Sequence, residues 1–260
     1  MGQEIPWSGV MPVERRRTSR AERVAPGDHV GAETLELLAE APRYNRWQFD
    51  LVAPYLGRRI LEVGAGIGNM SEQFLEVKPE LLVATDTDPF YRERLAERFA
   101  SRPEVAVETL SMPDPSAGSR FARYRLDTVI ATNVVEHIED DLGTIITMRN
   151  LLVSGGRAII LVPALQSIYG ELDRELGHYR RYGPARLRTL MERGGLRVEQ
   201  LRWFNRVGVL GWWFNGRIRR VKRIPLDQLR TFDRLVPMLR LERFLPLPFG
   251  QSLIAVGRVP

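Results

Sequence analysis

The chain has 260 residues, 44% of them hydrophobic and 27% charged, which suits one sizeable globular domain with an elaboration. It holds no cysteine, so disulfide staples, cysteine zinc sites, iron–sulfur clusters and cysteine nucleophiles are excluded. The formal net charge is +6, and 36 of the 38 basic residues are arginines, a balance that suits nucleic acid, an anionic membrane surface or an acidic substrate.

Residues 1–30 are polar and broken by prolines, with Arg15, Arg16, Arg17 and Arg20 clustered, and read as a flexible basic arm. The start lacks a charged segment followed by an apolar run, and no apolar stretch is long enough to span a bilayer. A cytoplasmic location is expected, with peripheral contact at the inner face of the membrane as a variant of it. From Glu33, apolar residues recur at helical spacing through Leu35, Leu38, Trp47, Leu51 and Val52 until Gly57. Strands and helices then alternate: strand 59–63, helix 69–77, strand 81–85, helix 90–99, strand 105–110, strand 126–132, helix 142–152, strand 157–162 and helix 184–193. Strands 198–204 and 252–258 close the series. Such alternation predicts a parallel sheet with helices on both faces. Residues 205–250 do not continue it, and a structureless loop of that length is improbable, so a helical insertion is expected there.

The first strand runs through Ile60-Leu61-Glu62-Val63 into Gly64-Ala65-Gly66-Ile67-Gly68-Asn69. Glycines let the backbone turn sharply and approach a ligand, and the following helix offers free N–H groups. The third glycine comes one position too early for a dinucleotide fingerprint, and Asn69 stands where that pattern wants glycine. Glu62 would repel a pyrophosphate and attract an ammonium group. The second strand ends in Asp86-Thr87-Asp88-Pro89, which places Asp86 to accept ribose hydroxyls. Asp88 is also suited to cap the next helix, with Pro89 at its first position.

These residues resemble the class I S-adenosylmethionine-dependent methyltransferases. In that family Glu62-x-Gly64-x-Gly66-x-Gly68 is the first motif and Asp86 the ribose acid. Residues 127–137 resemble the fourth-strand motif, with Asn133 facing the cofactor, and 151–162 resemble the fifth. The resemblance covers residues 44–205 and 251–258. It implies a Rossmann-like doubly wound seven-stranded sheet, mostly parallel with an antiparallel last strand, and a helical insertion before that strand. The methyltransferase domain would then comprise 31–204 and 251–260, with 205–250 as a substrate cap or membrane-facing insertion. The implied cofactor is S-adenosylmethionine, held by Tyr44, Glu62, Gly64, Ala65, Gly66, Gly68, Asn69, Asp86, Thr87, Ser111, Met112, Asn133, Val134 and His137. Tyr44 would belong to a segment closing over it. One departure stands out: where many members carry an acid for the adenine amine, this chain has Ser111 and Met112, with Asp114 displaced. Backbone groups and packing by Met112 and Thr87 are expected to hold the adenine instead.

Methyl transfer to oxygen calls for a base near the acceptor's proton. The loop after the fifth strand, 169–182, supplies His178, with Asp173 to orient it or act in its place, and Tyr182 beside them. The alternative is that His178 and Tyr182 only tie this loop to the body. No metal is expected: Glu139, Asp140 and Asp141 cannot all point inward on a helix, and no second histidine is spaced to help His137. His29 lies in the arm.

Residues 205–244 hold ten basic and three acidic residues, with Trp212, Trp213, Phe214, Phe232 and Phe244 among them. Three readings fit: a helical cap whose aromatics pack on the sheet and whose arginines are solvated, a surface for membrane or a lipid-linked substrate, or a nucleic-acid face. With 249–255, this insertion resembles a bacterial methyltransferase group found alone or fused to polyprenyl-phosphate-type glycosyltransferases. It is more distantly similar to ubiquinone-biosynthesis O-methyltransferases. The resemblance implies a small-molecule acceptor, an oxygen of a sugar, lipid-linked or aromatic compound, anionic or lipid-linked. A nucleic-acid methyltransferase and a non-catalytic cofactor-binding partner are the alternatives. Against the first, Asn133 is followed by Val134-Val135 instead of two prolines.

Overall fold

A computed structural model of the protein describes residues 39–219, 226–244 and 247–260. The expected arm at 1–30, His29 and the start of the first helical region lie outside the described residues.

Seven strands form one sheet: β1 (Arg59–Val63), β2 (Leu81–Thr85), β3 (Val105–Glu108), β4 (Leu126–Thr132), β5 (Leu152–Pro163), β6 (Arg197–Phe204) and β7 (Ser252–Arg258). Their order is β3-β2-β1-β4-β5-β7-β6, with β7 alone antiparallel to its neighbours β5 and β6. This is the predicted doubly wound sheet with one reversed strand. The inner strands are mostly apolar because helices cover both faces. Alternate residues serve opposite layers. Leu61, Val63, Val83, Val129 and Ala131 pack on one side, and Ile60, Leu82, Ile130, Ile159 and Leu161 on the other.

The first layer holds α4 (Ala117–Phe121), α5 (Asp141–Leu151) and α7 (Pro184–Arg193), and the second holds α1 (Pro42–Val52), α2 (Asn69–Phe74) and α9 (Leu226–Leu239). Between them in sequence come α3 (Pro89–Arg98), α6 (Glu171–Glu175) and α8 (Gly208–Trp213). α3 packs Leu95, with the adjacent Phe99, against Ala65 and Ala84 under the glycine turn. Asp88 caps α3 through Phe90 N–H at 2.9 Å, as its position before Pro89 predicts.

Two element bounds differ from expectation by more than one residue. β3 ends at Glu108, and Leu110 leaves the ladder to enter the core. β5 begins at Leu152, which pairs with Leu126 of β4, and the Gly155-Gly156 turn is held by Val259: Gly155 N–H donates to Val259 O and Val259 N–H to Gly156 O. These partners are a hundred residues away in sequence. The insertion packs on the domain through α9. α9 lays Phe232 and Val236 against α1, and Asp233 accepts from Tyr44 N–H at 2.9 Å. α9 is therefore part of the second layer.

The sheet order reverses direction at β1. The chain moves outward to β2 and β3, then returns to the other side as β4. Such a switch point leaves a crevice beyond the carboxyl ends of β1 and β4, where ligands bind in open α/β sheets. No described helix is long and apolar enough to cross a membrane.

Candidate active site

The glycine turn leaves β1 with Gly64, Gly66 and Gly68 all in the left-handed region, at φ of 68°, 54° and 84°. A Cβ on Gly64 would lie 2.8 Å from Val134 Cγ2, and one on Gly68 would lie 2.9 Å from the Phe99 ring. Backbone shape and packing both demand glycine there. Gly66 N–H donates to Asp86 Oδ2 at 2.9 Å, and Asp88 N–H to Asp86 Oδ1 at 3.0 Å. The ends of β1 and β2 are thereby drawn together. Each Asp86 oxygen keeps a further lone pair for a ribose hydroxyl. Burial raises the Asp86 carboxyl above its ordinary value, against the backbone bonds that lower it.

Gly64, Thr87 and Ser111 are exposed and Asn69, Asp86, Met112, Asn133 and Val134 half-buried, while Ala65, Gly66 and Gly68 form the floor. An open rim of small residues over an acid, closed by glycines that no larger residue could replace, fits an adenosyl ligand. Glu62 sits deeper than expected. It is buried beneath the turn and accepts a hydrogen bond from Ser71 Oγ. Desolvation pushes its carboxyl up to about 8. Asp114 accepts from Ser116 and Arg120 instead of facing the adenine side. Tyr44 departs from its expected place as a cofactor lid: it stacks on Phe204 of β6 at 5.6 Å and meets Phe232 of α9 edge-on at 5.5 Å. Its ring thus fills the second layer, and desolvation pushes its hydroxyl up to about 12.

β4, β5 and β6 each give way to a left-handed residue, Asn133, Leu165 and Asn205, at φ of 53°, 64° and 59°. Such conformations cost energy away from glycine and cluster at functional edges. Beyond Asn133 a 3-10 turn, Val135–His137, presents Glu136 and His137. The loop after β5 is sewn to this turn. Tyr179 N–H donates to Glu136 O at 2.8 Å, and the His137 and His178 rings meet edge-on at 4.7 Å. Glycine turn, Val134 and His178 are therefore parts of one continuous wall.

His178 Nδ1 lies 2.9 Å from Asp173 Oδ1. The carboxylate can only accept, so Nδ1 carries the hydrogen and Nε2 is left as the acceptor. Asp173 also accepts from Arg181 Nε at 2.8 Å, Gly170 N–H at 3.0 Å and Trp212 Nε1–H at 3.2 Å. Burial alone would raise this acid, but the His178 bond and the Arg181 charge outweigh it, and Asp173 is held below its ordinary value. With four donors its lone pairs are filled, which corrects the expectation that it could itself take a proton. Its place is to orient His178.

Tyr182 is also corrected. It is fully buried, its backbone bonds Pro163 and Leu165, and its hydroxyl meets Asp141 Oδ2 at 3.2 Å. Packing in the first layer desolvates the hydroxyl and raises it above its ordinary value. It anchors the loop and does not reach the crevice.

Three residues that matter here escape sequence reading. Arg181 is wholly buried, donates Nη1–H to Ala164 O at 2.9 Å, and lies 4.5 Å over the Trp212 ring. Trp212 reaches Asp173 from across the insertion. Glu136 is fully buried, finds no partner for either oxygen among the described residues, and is pushed up to about 8 by desolvation. The alternating charges of 173–181 are the signal for Arg181; nothing local marks Trp212. The fold also supplies the second histidine that the chain spacing lacks. Ligand atoms of Glu136, His137 and His178 lie within 4.8 Å of one another. The acids at 139–141 are used otherwise, Asp140 capping α5 and Asp141 pairing with Arg180 and Arg186.

Residues 61–158 match the methyltransferase domain family. A hybrid PKS-NRPS synthetase of Trichoderma harzianum is 25% identical over 169 residues, 62% of this chain and 4% of that protein. A ubiquinone biosynthesis O-methyltransferase of Cereibacter sphaeroides is 32% identical over 109 residues, 41% of each chain. The chain therefore spans less than half the length of these curated relatives. Among solved structures, a SAM-dependent methyltransferase from Archaeoglobus fulgidus superposes with a TM-score of 0.55 at 17% identity, covering 84% of this chain and 94% of that one.

Proposed function

We propose that this chain is a class I S-adenosylmethionine-dependent methyltransferase, a reading its domain match and fold support, and that it methylates a hydroxyl oxygen of a small molecule. The observation that carries the oxygen reading is the His178–Asp173 pair, set in the wall that continues from the glycine turn. The name of the Cereibacter sphaeroides relative supports the same acceptor atom.

S-adenosylmethionine supplies an electrophilic methyl group on a sulfonium leaving group. Asp86 would hold its ribose, the glycine turn its methionine part, and Thr87, Ser111 and Met112 its base. His178 Nε2 accepts the proton of the acceptor hydroxyl as the new bond to carbon forms. Asp173 holds the ring by its Nδ1–H and stabilises the imidazolium that results. Arg181, Gly170 N–H and Trp212 fix Asp173, so the base arrives already aimed. Loss of a positioned base costs about 10²–10⁴ in rate. His178→Ala should lower turnover by that order in a cell extract supplied with labelled cofactor. Its affinity for S-adenosylhomocysteine, measured by titration calorimetry, should stay at the wild-type value. Wild-type turnover in His178→Ala would remove the histidine as base, and mass spectrometry of the labelled product identifies the acceptor atom.

A further inference from the structure

The insertion carries more exposed apolar surface than its packing explains. α9 buries Leu229, Asp233 and Val236 on one face, yet its other side and the following 3-10 turn (Arg240–Phe244) expose Leu235, Met238, Leu241 and Phe244. α8 buries Gly208 and turns Trp212 toward Asp173, while Leu210, Trp213 and Phe214 are exposed. Leu210, Met238 and Phe244 are 69%, 68% and 67% exposed. A monomer in water rarely gathers large apolar side chains this way.

Hydrogen bonds tie the segment of α8 to the segment of α9 at both ends. Before α8, the backbone N–H groups of Asn205 and Arg206 donate to Glu242 beyond the end of α9, at 2.9 and 2.7 Å. Arg206 also reaches Leu247 O at 3.3 Å. After α8, Asn215 Nδ2–H donates to Gln228 Oε1 at 2.8 Å, near the start of α9. α9 turns its buried face to α1 and α8 turns Trp212 to Asp173, and each leaves an apolar side exposed. Arg219, Arg234 and Arg243 are exposed around them, and the Arg243 guanidinium lies 4.6 Å over the Phe244 ring.

We propose that the outer faces of α8 and α9 dock this protein on an anionic lipid bilayer. Apolar residues ringed by arginines match an acyl boundary beneath acidic headgroups. The charge decides against a second copy of the chain. A twofold contact would bring the same arginines against each other, in a segment with ten basic and three acidic residues. The geometry also ties the surface to the site: Trp212 enters Asp173 from the helix whose other side exposes Leu210 and Trp213. An acceptor drawn from the bilayer would arrive beside His178. That last link rests on the proposed transfer reaction; the docking surface does not.

The test is co-sedimentation of the full chain with vesicles of phosphatidylcholine alone or mixed with phosphatidylglycerol. Binding is expected on the anionic vesicles and should weaken with salt. Arg234→Gln and Arg243→Gln should each weaken it about fivefold. Leu210→Ser combined with Phe244→Ser should weaken it about a hundredfold, with S-adenosylhomocysteine affinity unchanged as the check on folding. Without any variant, brominated acyl chains in anionic vesicles should quench the tryptophan emission. The proposal is overturned by absence of vesicle binding and quenching, by equal binding to neutral vesicles, or by binding that the substitutions leave intact. A dimer in light scattering that the double variant dissolves, without vesicle binding, would assign the patch to a second copy instead. Loss of activity in His178→Ala with vesicle binding retained separates this surface from the transfer reading.

Discussion

Asp86 is the residue on which the proposed cofactor recognition turns. Its oxygens are aligned by Gly66 and Asp88 N–H groups, so the lone pairs that remain are fixed in direction. Charge-assisted hydrogen bonds contribute about 1.5–3 kcal/mol each. Asp86→Ala should therefore weaken S-adenosylhomocysteine about a hundredfold or more in a calorimetric titration, while the far-ultraviolet spectrum stays native. Glu62 and Glu136 make a second residue-scale prediction. Each is pushed from the ordinary 4.5 to about 8 by burial. Between those values the native protein keeps two protons that the unfolded chain has released. Stability from these groups is complete below 4.5 and is lost as pH rises toward 8. The thermal midpoint should fall over that range, and Glu136→Gln should flatten the fall. A midpoint that rises over the same range in wild type, or a slope unchanged by Glu136→Gln, would contradict the buried protonated acid.

At the scale of elements, the clasp between α8 and α9 depends on Glu242. Its two oxygens satisfy Asn205 and Arg206 N–H, it pairs with Arg206, and it is buried. Removing a buried acceptor of this kind leaves two donors and a cation unpaired, a loss of about 3–5 kcal/mol. Glu242→Ala should open residues 205–247 to limited proteolysis while β1–β5 stay protected in hydrogen exchange. The glycine turn behaves differently. Gly64→Ala meets both a left-handed φ of 68° and Val134. Strain of about 1–3 kcal/mol is expected, and trimming Val134 to alanine should restore only the steric part. Sequence reading recovered these elements unevenly. α7 was legible to the residue because Gly183-Pro184 marks its start and Gly194 its end. The early start of β5 was hidden, because Leu152 pairs with Leu126 of β4 and the turn residues are held by Val259 across the whole chain.

For the whole molecule, cofactor and fold should be linked by mass action. A ligand that binds only the native state at a hundredfold excess over its Kd adds about 2.7 kcal/mol of stability. S-adenosylhomocysteine should raise the melting temperature by a few degrees, and Asp86→Ala should abolish the rise at the same concentration. The net charge of +6 is also a whole-molecule quantity that the fold redistributes. Of the described residues in the segment with ten basic and three acidic residues, Phe232 and Val236 enter the second layer, while Leu210, Met238 and Phe244 are exposed. The sum over the chain tells little, and its position on the surface tells where an anionic partner would approach.

Local patterns in the chain were enough for the alternating strands and helices, the glycine turn, Asp86 as the acid after β2, and the exclusion of cysteine chemistry. Each is short-range: periodicity, φ preference and spacing act within a few residues. The tertiary structure alone decided that Asp173 is saturated and Tyr182 buried, that Trp212 and Arg181 hold the site, and that His137 meets His178. Those pairings join residues up to 41 positions apart, and their partners are chosen by sheet order and helix packing. A linear pattern carries the types of residue available for a site. Burial and direction, which set what each can donate, accept or protonate, exist only once the layers have closed.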